Sequence, residues 1–184
     1  MSATTTTALP AGTWSIDPSH SEVAFTVRHI MSKVRGQFTR FEGALVSDGT
    51  PGGVSASATV DLNSVDTRDE QRDGHLRSKD FFGVEEHGPM TFTSTSYDGS
   101  KATGELTIKG VTRTVELDVD VLGTGGDPWG GTRVGIEATT RISRKDYGID
   151  FNIPLDGGKV MIGDTITILL SVQAVLQADE APTA

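Results

Sequence analysis

The chain has 184 residues, no cysteine and a formal net charge of −9. This length suits a single domain with a sizeable core, and the lack of cysteine excludes disulfides, thiolate metal ligands and cysteine nucleophiles. The acidic balance argues against nucleic acid, or an anionic membrane surface, as a partner recruited through charge alone.

The chain begins with a stretch rich in Thr and Ala that has no periodicity, and we predict that residues 1–11 form a disordered tail. This stretch lacks the basic and apolar regions of a secretory signal. No apolar run approaches the ~20 residues of a membrane helix. The sequence therefore predicts a cytoplasmic protein without an integral membrane segment.

The first half of the predicted domain has the pattern of β-strands. Apolar residues alternate with polar or small ones over 14–17, 23–28 and 54–62, which is typical of strands with one buried face. Another strand is predicted over 35–46, but its Phe38 and Phe41 are three residues apart and cannot share a face. We therefore expect a bulge or bend near Arg40, a device that lets strands curve into a barrel.

The β pattern stops between residues 66 and 82. Thr67 followed by Glu70 resembles an N-cap with an acidic third position, and it predicts a short helix that runs to about Lys79. The only large apolar residue of this helix is Leu76. Such a polar helix is expected to cover a sheet edge as a lid rather than to enter the core.

The second half returns to period two. Residues 104–121 indicate a β-hairpin, and further strands are predicted over 90–94, 134–142 and 166–176. A glycine-rich loop carries Trp129 at its tip. About eight strands and one short helix predict an all-β, antiparallel meander that is either closed as a barrel or packed as a sandwich.

The sequence contains none of the common catalytic or nucleotide-binding motifs. It has no nucleophile elbow, no metalloprotease helix, no dinucleotide fingerprint and no phosphate loop. His20 and His29 are nine residues apart, which places them on opposite faces of an unbroken strand and argues against a shared metal. We therefore predict neither a metal nor a cofactor.

Arg72, Asp73 and His75 have two interpretations. Arg72 and Asp73 form ion pairs that hold the helix to the rim of the barrel, or Asp73 and His75 belong to the acid–base site of a hydrolase or isomerase. Because no nucleophile is nearby, the ion pairs are favoured.

The predicted interior contains several small side chains, which leave room that larger ones would fill. They are Gly36, Ala56, Ala58, Gly104, Ala138 and Ala174. A barrel of about eight strands has an interior that is either filled by side chains or holds one small ligand. The pattern alone leaves both possibilities open.

A series of motifs resembles the YceI-like family. The motifs are Trp14-x-Ile16-Asp17-x-x-His20-Ser21-x-Val23-x-Phe25-x-Val27-x-His29, Val34-x-Gly36-x-Phe38, Arg72-Asp73-x-His75-Leu76, Asp80-Phe81-Phe82, Pro89-x-x-Phe92-x-Ser94, Gly104-x-Leu106-Thr107-Ile108-x-Gly110-Val111-Thr112-Arg113 and Arg144-x-Asp146-Tyr147-Gly148-Ile149. They occur in order and cover roughly residues 13–177.

The resemblance implies a lipocalin-like antiparallel barrel over residues 12–178, followed by an acidic tail at 179–184. It implies a protein without catalytic activity that binds, transports or stores a long apolar lipid, a polyisoprenoid or fatty-acyl-like molecule, inside the barrel. Members of the family are often homodimers, and many are exported, whereas no export signal is visible here. The alternative is a ligand-free module that binds a protein partner through an exposed surface around Trp129.

For the lipid-binding hypothesis, the inward residues of the strands would line the pocket. They are Phe25, Val27, Phe38, Phe41, Ala58, Val60, Phe92, Leu106, Ile108, Leu117, Ile136, Ile142, Ile168 and Leu170. Segments 76–82 and 147–155 are predicted to form the mouth, and Arg72, His75 and Arg144 are the candidates for contact with a polar head group.

Overall fold

A computed structural model describes residues 8–178. Residues 1–7 of the predicted N-terminal tail and the predicted acidic tail at 179–184 lie outside the described residues. Leu9, which falls within the predicted tail, is buried, and its carbonyl oxygen accepts a hydrogen bond of 2.7 Å from Ser47 Oγ. The packed part of the chain therefore begins before residue 12.

Residues 8–178 form eleven strands and one α-helix. The strands are β1 (Gly12–Ile16), β2 (Glu22–His29), β3 (Ser32–Phe38), β4 (Phe41–Ser47), β5 (Val54–Val60), β6 (Val65–Asp66), β7 (Met90–Tyr97), β8 (Lys101–Ile108), β9 (Val111–Gly126), β10 (Thr132–Ser143) and β11 (Ile162–Leu176). The helix α1 is Glu70–Arg77, and short 3-10 turns occupy Pro18–His20, Leu62–Ser64, Arg144–Tyr147 and Asp156–Gly158.

The sheet closes into an antiparallel barrel. The hydrogen-bonded order is β1-β4-β5-β7-β8-β9-β10-β11, and β11 pairs with β1 again to complete a ring of eight strands. β1 and β2 pair with successive parts of β11 and so occupy one position in the barrel wall. β3 and β4 share a position in the same way, as do β5 and β6, so the eleven strands occupy eight positions. The all-β prediction is confirmed, and closure decides for the barrel over the sandwich.

The predicted bend near Arg40 is confirmed. β3 ends at Phe38 and β4 begins at Phe41. The backbone N–H of Thr39 donates to the carbonyl of Ser64 at 3.2 Å, and the N–H of Arg40 donates to Ser64 Oγ at 3.0 Å. Ser64 thus satisfies backbone groups that a regular ladder would have paired, which is the requirement at any break in a buried strand.

The helix begins later than the sequence predicts. Asp69, rather than Thr67, is the N-cap, and its carboxylate accepts a 3.0 Å hydrogen bond from the N–H of Arg72. The cause is Arg68, whose φ of 63° turns the chain sharply between β6 and the helix. No helix within the described residues combines the length and hydropathy that a membrane crossing requires.

Two apolar clusters hold the barrel together. The larger one gathers the inward residues around Phe25, Phe38 and Ile149 at one end of the barrel. The smaller one surrounds the fully buried Trp14 where β1 joins β4 and β11, and it includes Ala174. This second cluster stabilises the seam of the barrel, which is the place where β1 pairs with β11 and closes the ring of strands.

Candidate functional site

The barrel encloses two apolar cavities. The first, chamber 1, has a volume of about 210 Å³, and the second, chamber 2, has a volume of about 170 Å³. Val23, Met90 and Ile168 line both of them. The chambers are therefore neighbours inside the barrel, and we call the three side chains that they share the constriction.

All fourteen residues predicted to line the pocket lie on the walls of these chambers. Phe41, Ala58, Val60, Phe92, Leu106, Leu117, Ile136 and Leu170 line chamber 1, Phe25, Val27, Phe38, Ile108 and Ile142 line chamber 2, and Ile168 lines both. The inward faces of the strands are thus those that the alternation predicts. Contact of these residues with a ligand stays a prediction.

The small residues differ in what they leave open. A Cβ atom on Gly36 would overlap the ring of Phe25, and one on Gly104 would lie 2.5 Å from Cζ of Phe92. Aromatic rings therefore fill the space above both glycines, and the expectation of open room there is wrong. The room in chamber 1 is found beside the alanines of β5 and β10, namely Ala56, Ala58 and Ala138. Ala174 packs into the seam cluster instead.

An aromatic cluster covers the outer end of chamber 2. The ring of His75 meets Phe81 at 5.0 Å and Phe151 at 4.9 Å, both edge-on, and Phe81 lies 5.3 Å from Phe151. His75 Nε2 also lies 2.8 Å from Oδ2 of Asp80. The cluster joins the segment after α1 to the loop before β11, so the two segments predicted as a mouth do meet at one end of the barrel.

Arg72 and Asp73 act through Thr67 rather than through ion pairs with the rim. The buried carboxylate of Asp73 accepts hydrogen bonds from the N–H of Thr67 at 2.9 Å and from its hydroxyl at 2.6 Å. Arg72 donates to the same hydroxyl at 2.7 Å and to the carbonyl of Thr67 at 2.8 Å. These bonds tie α1 to the end of β6.

The acid–base pair considered from the sequence is not assembled. The carboxylate of Asp73 is engaged by Thr67, whereas His75 is exposed and bonds to Asp80. The two side chains therefore do not form the hydrogen bond that a base and its orienting acid require.

Arg144 is buried, and its guanidinium is occupied by the protein itself. It donates to the carbonyls of Gly163 at 3.0 Å, Ile149 at 3.0 Å and Phe151 at 2.8 Å. Burial lowers the pKa of this arginine from its ordinary value. Since five donors in a planar fork match these diverging carbonyls, the arrangement indicates that Arg144 orders the loop before β11. It also lines chamber 2.

Tyr147 is a site residue that the sequence did not single out. Its side chain is buried and lines chamber 2, and its hydroxyl has no hydrogen-bond partner within residues 8–178. Burial raises the pKa of this phenol to about 12, so it stays protonated and can donate. A buried hydroxyl without a partner costs ~1–3 kcal/mol. The motif around Arg144 marked the place but not this role.

Comparison with known proteins gives concordant results for family and fold. A family model described as YceI-like domain matches residues 14–174. A UPF0312 protein of Staphylococcus aureus strain MSSA476 is 39% identical over 163 residues, which cover 87% of this chain and 95% of that protein.

Two solved structures share the fold. BcnA of Burkholderia cenocepacia has a TM-score of 0.74 at 24% identity and covers 86% of this chain and 98% of its own. A polyisoprenoid binding domain from Saccharophagus degradans, implicated in plant cell wall breakdown, has a TM-score of 0.67 at 18% identity and covers 89% and 98%. At these identities the two structures establish the barrel and nothing finer.

Proposed function

The chain belongs to the family of YceI-like domains, and from that membership and the two chambers we propose that it binds one long apolar molecule inside the barrel. The ligand is a polyisoprenoid or a fatty-acyl-like chain, and the role is transport or storage without chemistry of the protein's own. The polyisoprenoid binding of the Saccharophagus degradans domain supports this choice of ligand class.

The observation that carries the proposal is the paired cavity. An apolar cavity of ~150 Å³ is large enough to stay dry and to bind benzene. Scaled from that case, the chambers of about 210 and 170 Å³ together hold roughly 15 carbon atoms. A chain of this length has to pass the constriction, where Met90 is an unbranched side chain that can change rotamer to let it through.

The walls suit hydrocarbon better than any polar guest. Burial stabilises a bound chain by ~0.8 kcal/mol per CH₂, so a dozen methylene groups provide strong binding without directional contacts. The same physics makes the site tolerant, because one extra methylene changes binding by only ~1–3 kcal/mol. We therefore propose selection by chain length and polarity rather than by fine shape.

Every basic side chain that the structure describes on the walls of the two chambers lines chamber 2, so we propose that the polar end of the ligand lies there. Arg72 and His75, two of the three predicted head-group residues, line this chamber, and so does the unpartnered hydroxyl of Tyr147. Arg144 lines it too, but its nitrogens already serve loop carbonyls. Tyr147 is thus the group with most to gain from a ligand that accepts a hydrogen bond.

The interaction-module alternative has one feature in its favour. Trp129 is 75% exposed, with the Arg133 guanidinium 5.6 Å from its ring centre. That alternative, however, requires an interior filled by side chains, and the two chambers are not filled. We therefore place the ligand inside the barrel and keep the homodimer and the cytoplasmic location as proposals of their own.

The proposal is tested on protein purified under native conditions. We expect an organic extract to yield one apolar molecule per protein chain by mass spectrometry, and the emptied protein to bind geranylgeraniol or palmitic acid in a titration. An extract without a stoichiometric apolar molecule, together with no binding of either probe, would refute the proposal.

A further inference from the structure

We propose that the end of the barrel at chamber 2 docks on the surface of a phospholipid bilayer. The docking surface consists of four apolar side chains on two neighbouring turns, which we call the tip surface: Ile30, Met31, Ile153 and Val160. The inference rests on the proposed function only for the purpose of docking, which is to load and unload the ligand.

The tip surface is exposed. Met31 is 90% exposed, Val160 50%, Ile30 47% and Ile153 45%. Single exposed apolar residues are ordinary, whereas several at one end of a molecule mark an interaction site. Ile30 in addition has a φ of 56°, a conformation that is an outlier for a β-branched residue. The turn therefore carries its apolar side chain at some conformational cost.

The two turns form one surface because backbone hydrogen bonds join them. The N–H of Ile30 donates to the carbonyl of Met161 at 2.7 Å, and the N–H of Met161 donates to the carbonyl of Ile153 at 3.0 Å. A β-bridge between Pro154 and Val160 closes the second turn. The four side chains are thus held together on the same end of the barrel.

This surface continues the wall of chamber 2. His29, Phe151 and Met161 line the chamber, and each is within two residues of a tip residue. Apolar side chains that insert into a bilayer interface reach ~5–10 Å, the boundary of the acyl chains. Docking at this end would therefore bring this wall of chamber 2 against hydrocarbon, and a ligand that enters here would be spared a passage through water.

The local charge does not oppose a lipid surface, although the whole chain carries −9. Residues 28–33 and 150–164 contain three exposed cations, Arg28, Lys33 and Lys159, and three exposed carboxylates, Asp150, Asp156 and Asp164, so the net charge around the tip surface is zero. Screening over ~8–10 Å at physiological salt confines the field of the distant acidic residues.

The test is co-sedimentation of the full chain with vesicles made of phosphatidylcholine. We expect the wild-type protein to sediment with these vesicles, and Met31→Asp combined with Val160→Asp to reduce the bound fraction at least tenfold. The matched control is Leu122→Asp combined with Trp129→Asp, which places the same two charges at exposed apolar positions on the β9–β10 hairpin. We expect the control to bind as the wild type does.

Three outcomes would overturn the inference: no sedimentation of the wild type, an equal loss in the control, or a change from dimer to monomer in the double variant by light scattering. The last outcome would identify the tip surface as an interface between two copies of the chain. Binding of geranylgeraniol in detergent-free solution is measured on the same variants. If the wild type does not bind geranylgeraniol, the proposed function is refuted, whereas the docking inference is still decided by the vesicle experiment.

Discussion

Ala138→Phe should separate ligand binding from folding. Ala138 lies on β10 between Val119 of β9 and Leu170 of β11, and all three line chamber 1. The substitution adds a phenyl ring to an open apolar space. A benzene ring needs a cavity of ~150 Å³, so the new side chain takes up most of a chamber of about 210 Å³.

The expected loss of affinity follows from the carbons that the ring displaces. About six methylene groups excluded from chamber 1 forfeit ~5 kcal/mol at ~0.8 kcal/mol each. Since ~1.4 kcal/mol corresponds to a factor of ten in Kd, binding of geranylgeraniol should weaken by about three orders of magnitude. The free energy of unfolding of the empty protein should change little, because burial of the ring gains ~1.5–3 kcal/mol and misfit costs ~1–3 kcal/mol.

The two quantities are measured on one preparation. Urea unfolding of the emptied protein gives the stability, and titration with geranylgeraniol gives the Kd. Glu137→Phe is the matched control, because it adds the same ring to the neighbouring, exposed position on the outer face of β10. The control should leave the Kd unchanged. Unaltered affinity in Ala138→Phe with a normally folded barrel would refute chamber 1 as part of the ligand site.

Three further substitutions test the constriction, the polar end and the seam. Met90→Ala should destabilise the protein by ~2–5 kcal/mol in urea unfolding and shift the preference in competition binding from geraniol toward geranylgeraniol; an unchanged preference would contradict a single site across both chambers. Tyr147→Phe should leave stability unchanged or raise it by up to ~1 kcal/mol, and weaken geranylgeraniol about tenfold but not the matching hydrocarbon without the hydroxyl. Arg133 first and His20 second hold the pKa of Asp17 well below its usual range, so its stabilisation is complete above the unfolded value of ~3.9 and is lost as the pH falls through the folded value. Asp17→Asn should thus cost ~1–3 kcal/mol at neutral pH, and equal urea midpoints for variant and wild type at neutral pH would contradict this.

The inward faces of the strands could be predicted because alternation is local. Within each strand, the alternation of apolar and polar residues shows which side chains face the core. A register error of one residue would have turned that whole face outward. The break near Arg40 was also readable, since Phe38 and Phe41 cannot share a face of a regular strand. The residue that accepts hydrogen bonds from the freed backbone N–H groups, Ser64, could not be predicted, because it lies a full strand and turn further along the chain.

The empty space could not be predicted, because a void depends on neighbours that only the register brings together. Gly36 lies directly across from Phe25, and the ring fills the place that a side chain would take. Ala58 and Ala138 are larger than glycine, yet the space beside them is open. The size of a residue in the sequence therefore says little about the room above it until its cross-strand partners are known.

The distribution of basic side chains distinguishes the two ends of the barrel interior. Arg72 and His75 line chamber 2, as does Tyr147, whereas no basic side chain among residues 8–178 lines chamber 1. An amphiphile whose head group accepts hydrogen bonds would therefore have its head in chamber 2 and its tail in chamber 1. Its head would then rest at the end that carries the tip surface, and the tail would have to enter first and pass Met90. An opening that meets the acyl region of a bilayer allows this order of entry, because the tail leaves one apolar phase directly for another. A barrel that instead took its ligand from water would gain nothing from exposed apolar side chains at that end.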